Sequence, residues 1–237
     1  MNPTITWMTA RGLFGRRRFL LLFPLPVLLV GLAVLCRAVG VDPVHWGPAL
    51  LTGLGFVVVL PVTALIVGTA VLGSEIDDGT IVHVLTKPLP RSEIVLAKLG
   101  VAIGITSLTV GFPMYVVGVL ADSVKLGLSV AAASVVGTIA YSALFVALSL
   151  VTRRPVLLGL VYVLVWEGLL GNLVSGTRTL SIQQYVITVA DRLGASSMLE
   201  GRVSLTVAVV MSVIFTVGMT VLAIDRLRGF SIAGETS

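Results

Sequence analysis

The chain has 237 residues, of which 57% are hydrophobic and 11% charged, and its net charge is +5. A soluble domain keeps about a quarter of its residues charged. This composition therefore excludes a soluble domain and predicts an integral membrane protein. The basic residues lie between apolar runs, as in membrane topology, and do not indicate a nucleic-acid partner. Because Cys36 is the sole cysteine, the chain has no intramolecular disulfide, and we expect no metal site.

Six apolar runs approach or exceed the roughly 20 residues that a membrane-spanning helix needs. They cover residues 19–39, 48–73, 99–121, 126–152, 156–173 and 203–224. Arg16, Arg17 and Arg18 precede the first run as in a signal peptide, so a cleaved signal is the alternative to a retained first span. We predict an all-α membrane protein with six transmembrane helices, forming one transmembrane domain over residues 1–237.

The distribution of basic residues predicts the orientation. With a cytoplasmic N-terminus and six spans, 11 of the 16 Lys and Arg residues lie inside and five lie outside. Positively charged loops remain on the cytoplasmic side, so both termini are expected there.

Two polar segments are more than simple connections. Residues 1–18 could form an N-terminal interfacial helix, although a disordered basic tail fits equally well. In the outer segment, residues 172–202, Ser181 and Gln184 have capping-box spacing and Gly194 can end the helix. Its apolar residues recur at helical spacing: Ile182, Tyr185, Val186, Val189 and Leu193. This pattern predicts an amphipathic helix at the outer membrane face, with Gln183, Asp191 and Arg192 among its other residues.

The cytoplasmic segment 74–98 carries the most informative pattern. Acidic residues directly follow an apolar span, Gly79 and Thr80 open a short apolar run over residues 81–85, and Pro88 and Pro90 stop it. A helix can then begin at Pro90 or Ser92. Exposed apolar residues on a short element between rigid turns indicate a docking site for a partner.

This pattern resembles the first cytoplasmic loop of ABC-2-type transporter permeases. In that family the loop carries a coupling helix that fits a groove on the ATPase subunit. The resemblance implies coupling roles for Glu75, Asp78, Gly79, Thr80, Ile81, Val84, Leu85, Pro88, Arg91 and Lys98. It extends to the six-span plan with an outer helical segment before the last span, and to two further stretches, residues 166–168 and 179–185.

The resemblance implies a non-catalytic permease subunit that forms an export path with a second copy or a homologue. The chain has no G-x-x-x-x-G-K-[ST] phosphate loop, and the residues after the last span are too few for a nucleotide-binding domain. Two separate ATPase subunits would therefore bind ATP and Mg, and the permease itself needs no cofactor. A bacterial or archaeal plasma membrane is the expected location, and the substrate is left open.

Glu167 is a second candidate site residue because it lies near the middle of the fifth apolar run. A carboxylate at that depth costs several kcal/mol unless it faces protein or water. Glu167 and Asn172 could line the export path or form a gate, whereas the alternative is a helix-packing contact. Two other functions remain open: a secondary transporter or channel that uses Glu167 as an ion or proton site, and a membrane enzyme built on Glu75, Asp77, Asp78 and His83. The apparent isolation of Glu167 counts against the first of these.

Overall fold

The computed structural model describes residues 22–77, 90–170, 179–194, 196 and 198–233. These residues form helices and connecting turns, with no strand among them. Two stretches are π-helical and are labelled π1 and π2. The elements in chain order are α1 (Pro24–Ala38), α2 (Pro43–Pro48), π1 (Ala49–Val59), α3 (Leu60–Asp77), α4 (Arg91–Ala121), α5 (Val124–Val151), α6 (Pro155–Val161), π2 (Tyr162–Leu170), α7 (Ile182–Gly194) and α8 (Leu205–Ala233).

All six apolar runs contain helix. Within the described part of the chain, four helices are long and apolar enough to cross a membrane: Pro43–Leu72, Arg91–Ala121, Val124–Val151 and Leu205–Gly229. The helices in the first and fifth runs, Pro24–Ala38 and Pro155–Leu169, are apolar but shorter. The all-helical membrane fold is therefore confirmed, and the count of six complete spans stays a prediction.

Helix α5 forms the centre of the bundle. It packs against α3, α4, α7 and α8, and 72% of its most apolar stretch is buried, compared with 17% for α8. Small residues dominate its sequence, including the Ala131–Ala133 run. Such residues let helix backbones approach closely, which drives packing in membranes where lipid offers no hydrophobic gain.

Helices α4 and α5 form a hairpin whose backbones meet at two glycines. The turn ends at Ser123, whose hydroxyl caps α5 by accepting a hydrogen bond from the N–H of Leu126 at 3.3 Å. Gly118 lies before this turn and Gly127 lies after it. A Cβ added to Gly118 would lie 2.7 Å from the Cα of Gly127. Main-chain atoms cannot rotate away, so this position requires glycine.

The two π-helical stretches lie in the second and fifth apolar helices. π-helices are rare, and most are single-turn bulges, often at functional sites. π1 ends two residues before Pro61, whose ring would clash with the carbonyl four residues earlier in an α-helix. In π2, backbone hydrogen bonds join residues five apart, so residues at that spacing lie closer to one face than they do in an α-helix.

Replacing Gly118 by valine should destabilise the hairpin, since the new side chain overlaps the backbone of Gly127. Overpacking of this kind costs about 1–3 kcal/mol. The matched control is Gly104→Val on the same helix, where no atom lies within 4 Å of the added Cβ. Thermal unfolding of the purified protein in detergent should show a lower Tm for Gly118→Val alone. Equal Tm values for the two variants would contradict the close approach of the helices.

Candidate functional site

Glu167 lies in π2, and its side chain is only 2% exposed. It points into the protein, where Tyr162 on the same helix donates a hydrogen bond from its hydroxyl to Oε1 at 3.0 Å. The two residues are five apart, a spacing at which a π-helix brings side chains closer together than an α-helix does. The local backbone geometry thus supplies the first partner of this carboxylate.

The other observed partners of Glu167 lie at the start of α7. The backbone N–H of Ile182 donates to Oε1 at 2.9 Å, and that of Gln183 to Oε2 at 3.4 Å. The hydroxyl of Ser181 also bonds to Oε2. The first N–H groups of a helix have no partner within the helix and carry partial positive charge, so a carboxylate is well placed there. Glu167 therefore caps α7 from a different helix.

Ser181 links this carboxylate to the cap of α7. Its hydroxyl oxygen accepts a hydrogen bond from the N–H of Gln184 at 3.3 Å, which confirms the N-cap that the sequence predicted. Helix α7 then ends at Gly194, also as predicted. The N-terminus of α7 thus has two caps, its own serine and the distant Glu167.

Further contacts fasten the residues just before α7. The indole Nε1 of Trp166 donates to the carbonyl of Leu180 at 3.4 Å, and the hydroxyl of Tyr185 donates to the carbonyl of Thr179. The two stretches singled out in the sequence, residues 166–168 and 179–185, therefore contact each other. Tyr141, Tyr162 and Tyr185, three of the chain's four tyrosines, lie close enough to Glu167 to interact with it electrostatically.

Two expectations about this region are wrong. Helix α7 forms as predicted but does not lie on the surface of the bundle: it packs against α5 and α8, and Gln183 and Gln184 are buried while Leu193 is exposed. Nor is Glu167 isolated, since it has hydroxyl and amide partners. These contacts fit the packing interpretation of Glu167, and they do not test a place for it in the export path.

The proposed coupling segment, residues 74–98, is described only at its two ends. Glu75 belongs to α3, Arg91 is the first residue of α4, and Pro90 is its N-cap, as expected from the sequence. The other proposed coupling residues lie outside the described residues: Asp78, Gly79, Thr80, Ile81, Val84, Leu85 and Pro88. Asn172 lies outside them as well, as do Asp78 and His83 of the enzyme alternative.

Lys98 joins the two helices that flank the coupling segment. Its side chain is 1% exposed, and its Nζ donates a hydrogen bond to the carbonyl of Val71 at 3.0 Å. A buried ammonium needs such partners because its desolvation is costly. The sequence placed Lys98 where α4 enters the bilayer, and the structure adds that it binds α3.

The described residues form a multi-pass helical membrane protein, with a buried carboxylate between its fifth apolar helix and the short helix α7. A comparison with protein families identifies residues 16–175 as matching the ABC-2 family transporter protein. The match covers more than half of the chain, so this protein belongs to the ABC-2 family of membrane transport permeases. The family implies association with ABC ATPase subunits and is generally non-catalytic. None of the curated proteins compared with the chain matches it.

Removing the Glu167 carboxylate should destabilise the protein. Glu167→Leu leaves the N–H groups of Ile182 and Gln183 and the hydroxyl of Ser181 without their acceptor, and each buried unpaired group costs about 1–3 kcal/mol. Glu167→Gln keeps one oxygen and should fall between Leu and the parent protein. Thermal unfolding would measure the Tm of the parent protein and of the two variants and so show whether they fall in this order.

A milder pair of variants provides the control for this series. Tyr162→Phe removes one donor to Glu167 and should cost about 1 kcal/mol. Tyr115→Phe is the matched change at the chain's remaining tyrosine and should be silent. An unchanged Tm for Glu167→Leu would show that the carboxylate does not hold α7.

Proposed function

We propose that the chain forms half of the transmembrane path of an ATP-driven exporter, together with a second copy or a homologue. Two ATPase subunits would dock on the cytoplasmic segment 74–98 and supply the energy. Both termini would lie in the cytoplasm of a bacterial or archaeal cell. The family match over residues 16–175, which includes this whole segment, is the observation that supports the proposal best.

The anchoring of the coupling segment supports its proposed role. α3 enters the segment and α4 leaves it, and the Lys98–Val71 hydrogen bond ties these helices together. Leu72, Ile94, Val95 and Leu99 add an apolar cluster at the same place. A force applied to residues 78–89 would therefore move α3 and α4 as a pair, because neither helix can shift alone without exposing a buried ammonium.

The second and fifth apolar helices are our candidates for the wall of the export route. They contain π1 and π2, the two π-helical stretches of the described residues. Leu160, Leu164 and Leu169 of the fifth helix are exposed, which leaves an apolar face for lipid or for the second permease. Glu167 and Asn172 would act as a gate at the outer end of this helix, with Glu167 fixing α7 in place.

Labelling of introduced cysteines tests the orientation. In a protein whose Cys36 has been replaced by serine, a cysteine at Ser237 should react only with membrane-permeant reagents in intact cells. A cysteine at Gly176 should react with impermeant reagents as well, because the charge distribution puts it outside. Two cysteines that behave alike would exclude the six-span topology while leaving the family membership intact.

Charge introduced into the coupling run tests the docking. Leu85→Asp should abolish co-purification of the ATPase and transport-linked ATP hydrolysis, because it would bury a carboxylate in an apolar groove. Val39→Asp, at an exposed position next to the predicted outer turn, is the control and should leave both unchanged. Membrane insertion of both variants is checked by their yield in the membrane fraction. Normal ATPase binding by Leu85→Asp would refute the proposed coupling role.

A further inference from the structure

Helix α7 has one apolar and one polar face, and both faces are buried in the bundle. Ile182, Val186 and Val189 lie on the apolar face and belong to the main apolar cluster of the described residues. Gln184 and Thr188 lie on the opposite face, and their side chains are 4% and 0% exposed. An amphipathic helix ordinarily keeps its polar face in water. The buried position therefore satisfies only one face of α7.

Three polar side-chain atoms on α7 are buried without a partner. They are Oε1 of Gln183, Oε1 of Gln184 and Oγ1 of Thr188, none of which has a hydrogen bond among the described residues. In water each atom would be hydrogen-bonded, so each one disfavours the buried position by about fivefold or more. The polar residues of α7 thus oppose the position that the helix occupies.

Hydrogen bonds at both ends of α7 offset this cost. At its start, the carboxylate of Glu167 accepts hydrogen bonds from the N–H groups of Ile182 and Gln183. Near its end, the carboxylate of Asp191 accepts one from the N–H of Gly201 at 3.1 Å. The bonds at the start all end on one side chain of another helix. Moving Glu167 and α7 apart would therefore break them together and let the unpaired polar atoms reach water.

We propose that α7 has a second position, on the surface of the bilayer, and that its contacts with Glu167 are the latch that holds it in the bundle. In the second position the face with Gln184, Thr188 and Asp191 lies in water and the apolar face lies in lipid. Amphipathic helices adopt this arrangement at a membrane interface. Each position satisfies what the other leaves unsatisfied, which makes α7 a two-state element. The inference goes beyond the export proposal and does not depend on it.

Labelling of a single cysteine on the polar face tests the second position. The purified full chain, with Cys36→Ser and Thr188→Cys, is placed in nanodiscs and treated with a charged thiol reagent that does not enter lipid. Both faces of a nanodisc are open to the reagent, so the result is independent of the topology. The control reporter is Ser134→Cys, at a buried position of α5. We expect slow labelling at position 188 and none at position 134 over the same time.

Two results of this labelling would overturn the proposal. No labelling at position 188, even in the variants below, would show that α7 has a single position. Equal rates at positions 188 and 134 would show that the whole bundle unfolds and that α7 does not move alone.

A reporter on the apolar face distinguishes movement to the bilayer surface from unfolding into water. Val189→Cys lies next to position 188 but on the apolar face, which passes from the bundle into lipid. It should label at least about tenfold more slowly than Thr188→Cys, because the charged reagent is excluded from the hydrocarbon. Equal rates at the two positions would mean that α7 unfolds into water, and the proposal would fail.

One pair of variants tests the latch. Ser181→Ala removes a hydrogen bond between Glu167 and the start of α7, so labelling of Thr188→Cys should become about fivefold faster. Ser149→Ala is the matched control, since this buried serine of α5 bonds to the carbonyl of Val146 in its own helix. It should leave the rate unchanged. Equal rates for the two variants would show that Glu167 is not the latch.

A second pair tests the cost of the buried polar face. Gln184→Leu removes an unpaired amide and keeps most of its bulk, so labelling should become about fivefold slower. Gln184→Glu places a carboxylate at the same position, which disfavours burial, and labelling should become faster. A rate for Gln184→Leu equal to or above that of the parent protein would refute the proposed cost. If Gln184→Leu does not fold, Gln184→Glu decides the question, because an unchanged rate for it would refute the cost as well.

Discussion

The carboxylate of Glu167 imposes the strongest constraint on the part of this protein around α7. An acidic side chain inside an apolar helix must find donors, because lipid supplies none. Here they come from Tyr162 and from the first N–H groups of α7. To make these bonds, α7 must enter the bundle beside the fifth apolar helix. The burial of α7 against α5 and α8 thus follows from one electrostatic requirement.

That placement has a consequence for the polar residues of α7. Gln183 and Gln184 lie in the first turn of this helix, where their N–H groups bond to Glu167 and Ser181, and both side chains are buried. Burying an unpaired amide oxygen is unfavourable, and the Oε1 atoms of Gln183 and Gln184 have no hydrogen-bond partner among the described residues. The contact with Glu167 therefore places polar side chains inside the bundle together with the start of the helix. The hydrogen bond from Gly201 to Asp191 keeps the following chain close to α7, which completes the enclosure.

Local signals in the sequence predicted the helices and their ends, because each depends on neighbouring residues. Apolar runs located the six helical segments, Ser181 and Gly194 bounded α7, and Pro90 preceded α4. The partners of Glu167 could not be predicted, since a regular α-helix would place Tyr162 on a different face and Ser181 is fourteen residues away along the chain. The burial of both faces of α7 could not be predicted either. The helical pattern identified its apolar face, whereas the burial of its polar face depends on the contact with the Glu167 carboxylate.

The packing of α5 limits how the two ends of the molecule can influence each other. α3 and α4, joined by Lys98, both pack on α5, and so does α7, which Glu167 attaches to π2. Densely packed elements shift as units and do not deform continuously. If the proposed coupling role of residues 74–98 holds, movement that begins there carries α3, α4 and α5 together. It should be taken up where packing is weakest, at α8, which is only 17% buried over its most apolar stretch, and along the exposed face of the fifth helix. The Glu167 contacts lie between the packed centre and that looser edge. Its bonds to Ser181, Ile182 and Gln183 all join the fifth helix to the start of α7, so a shift between these two elements would have to break them together.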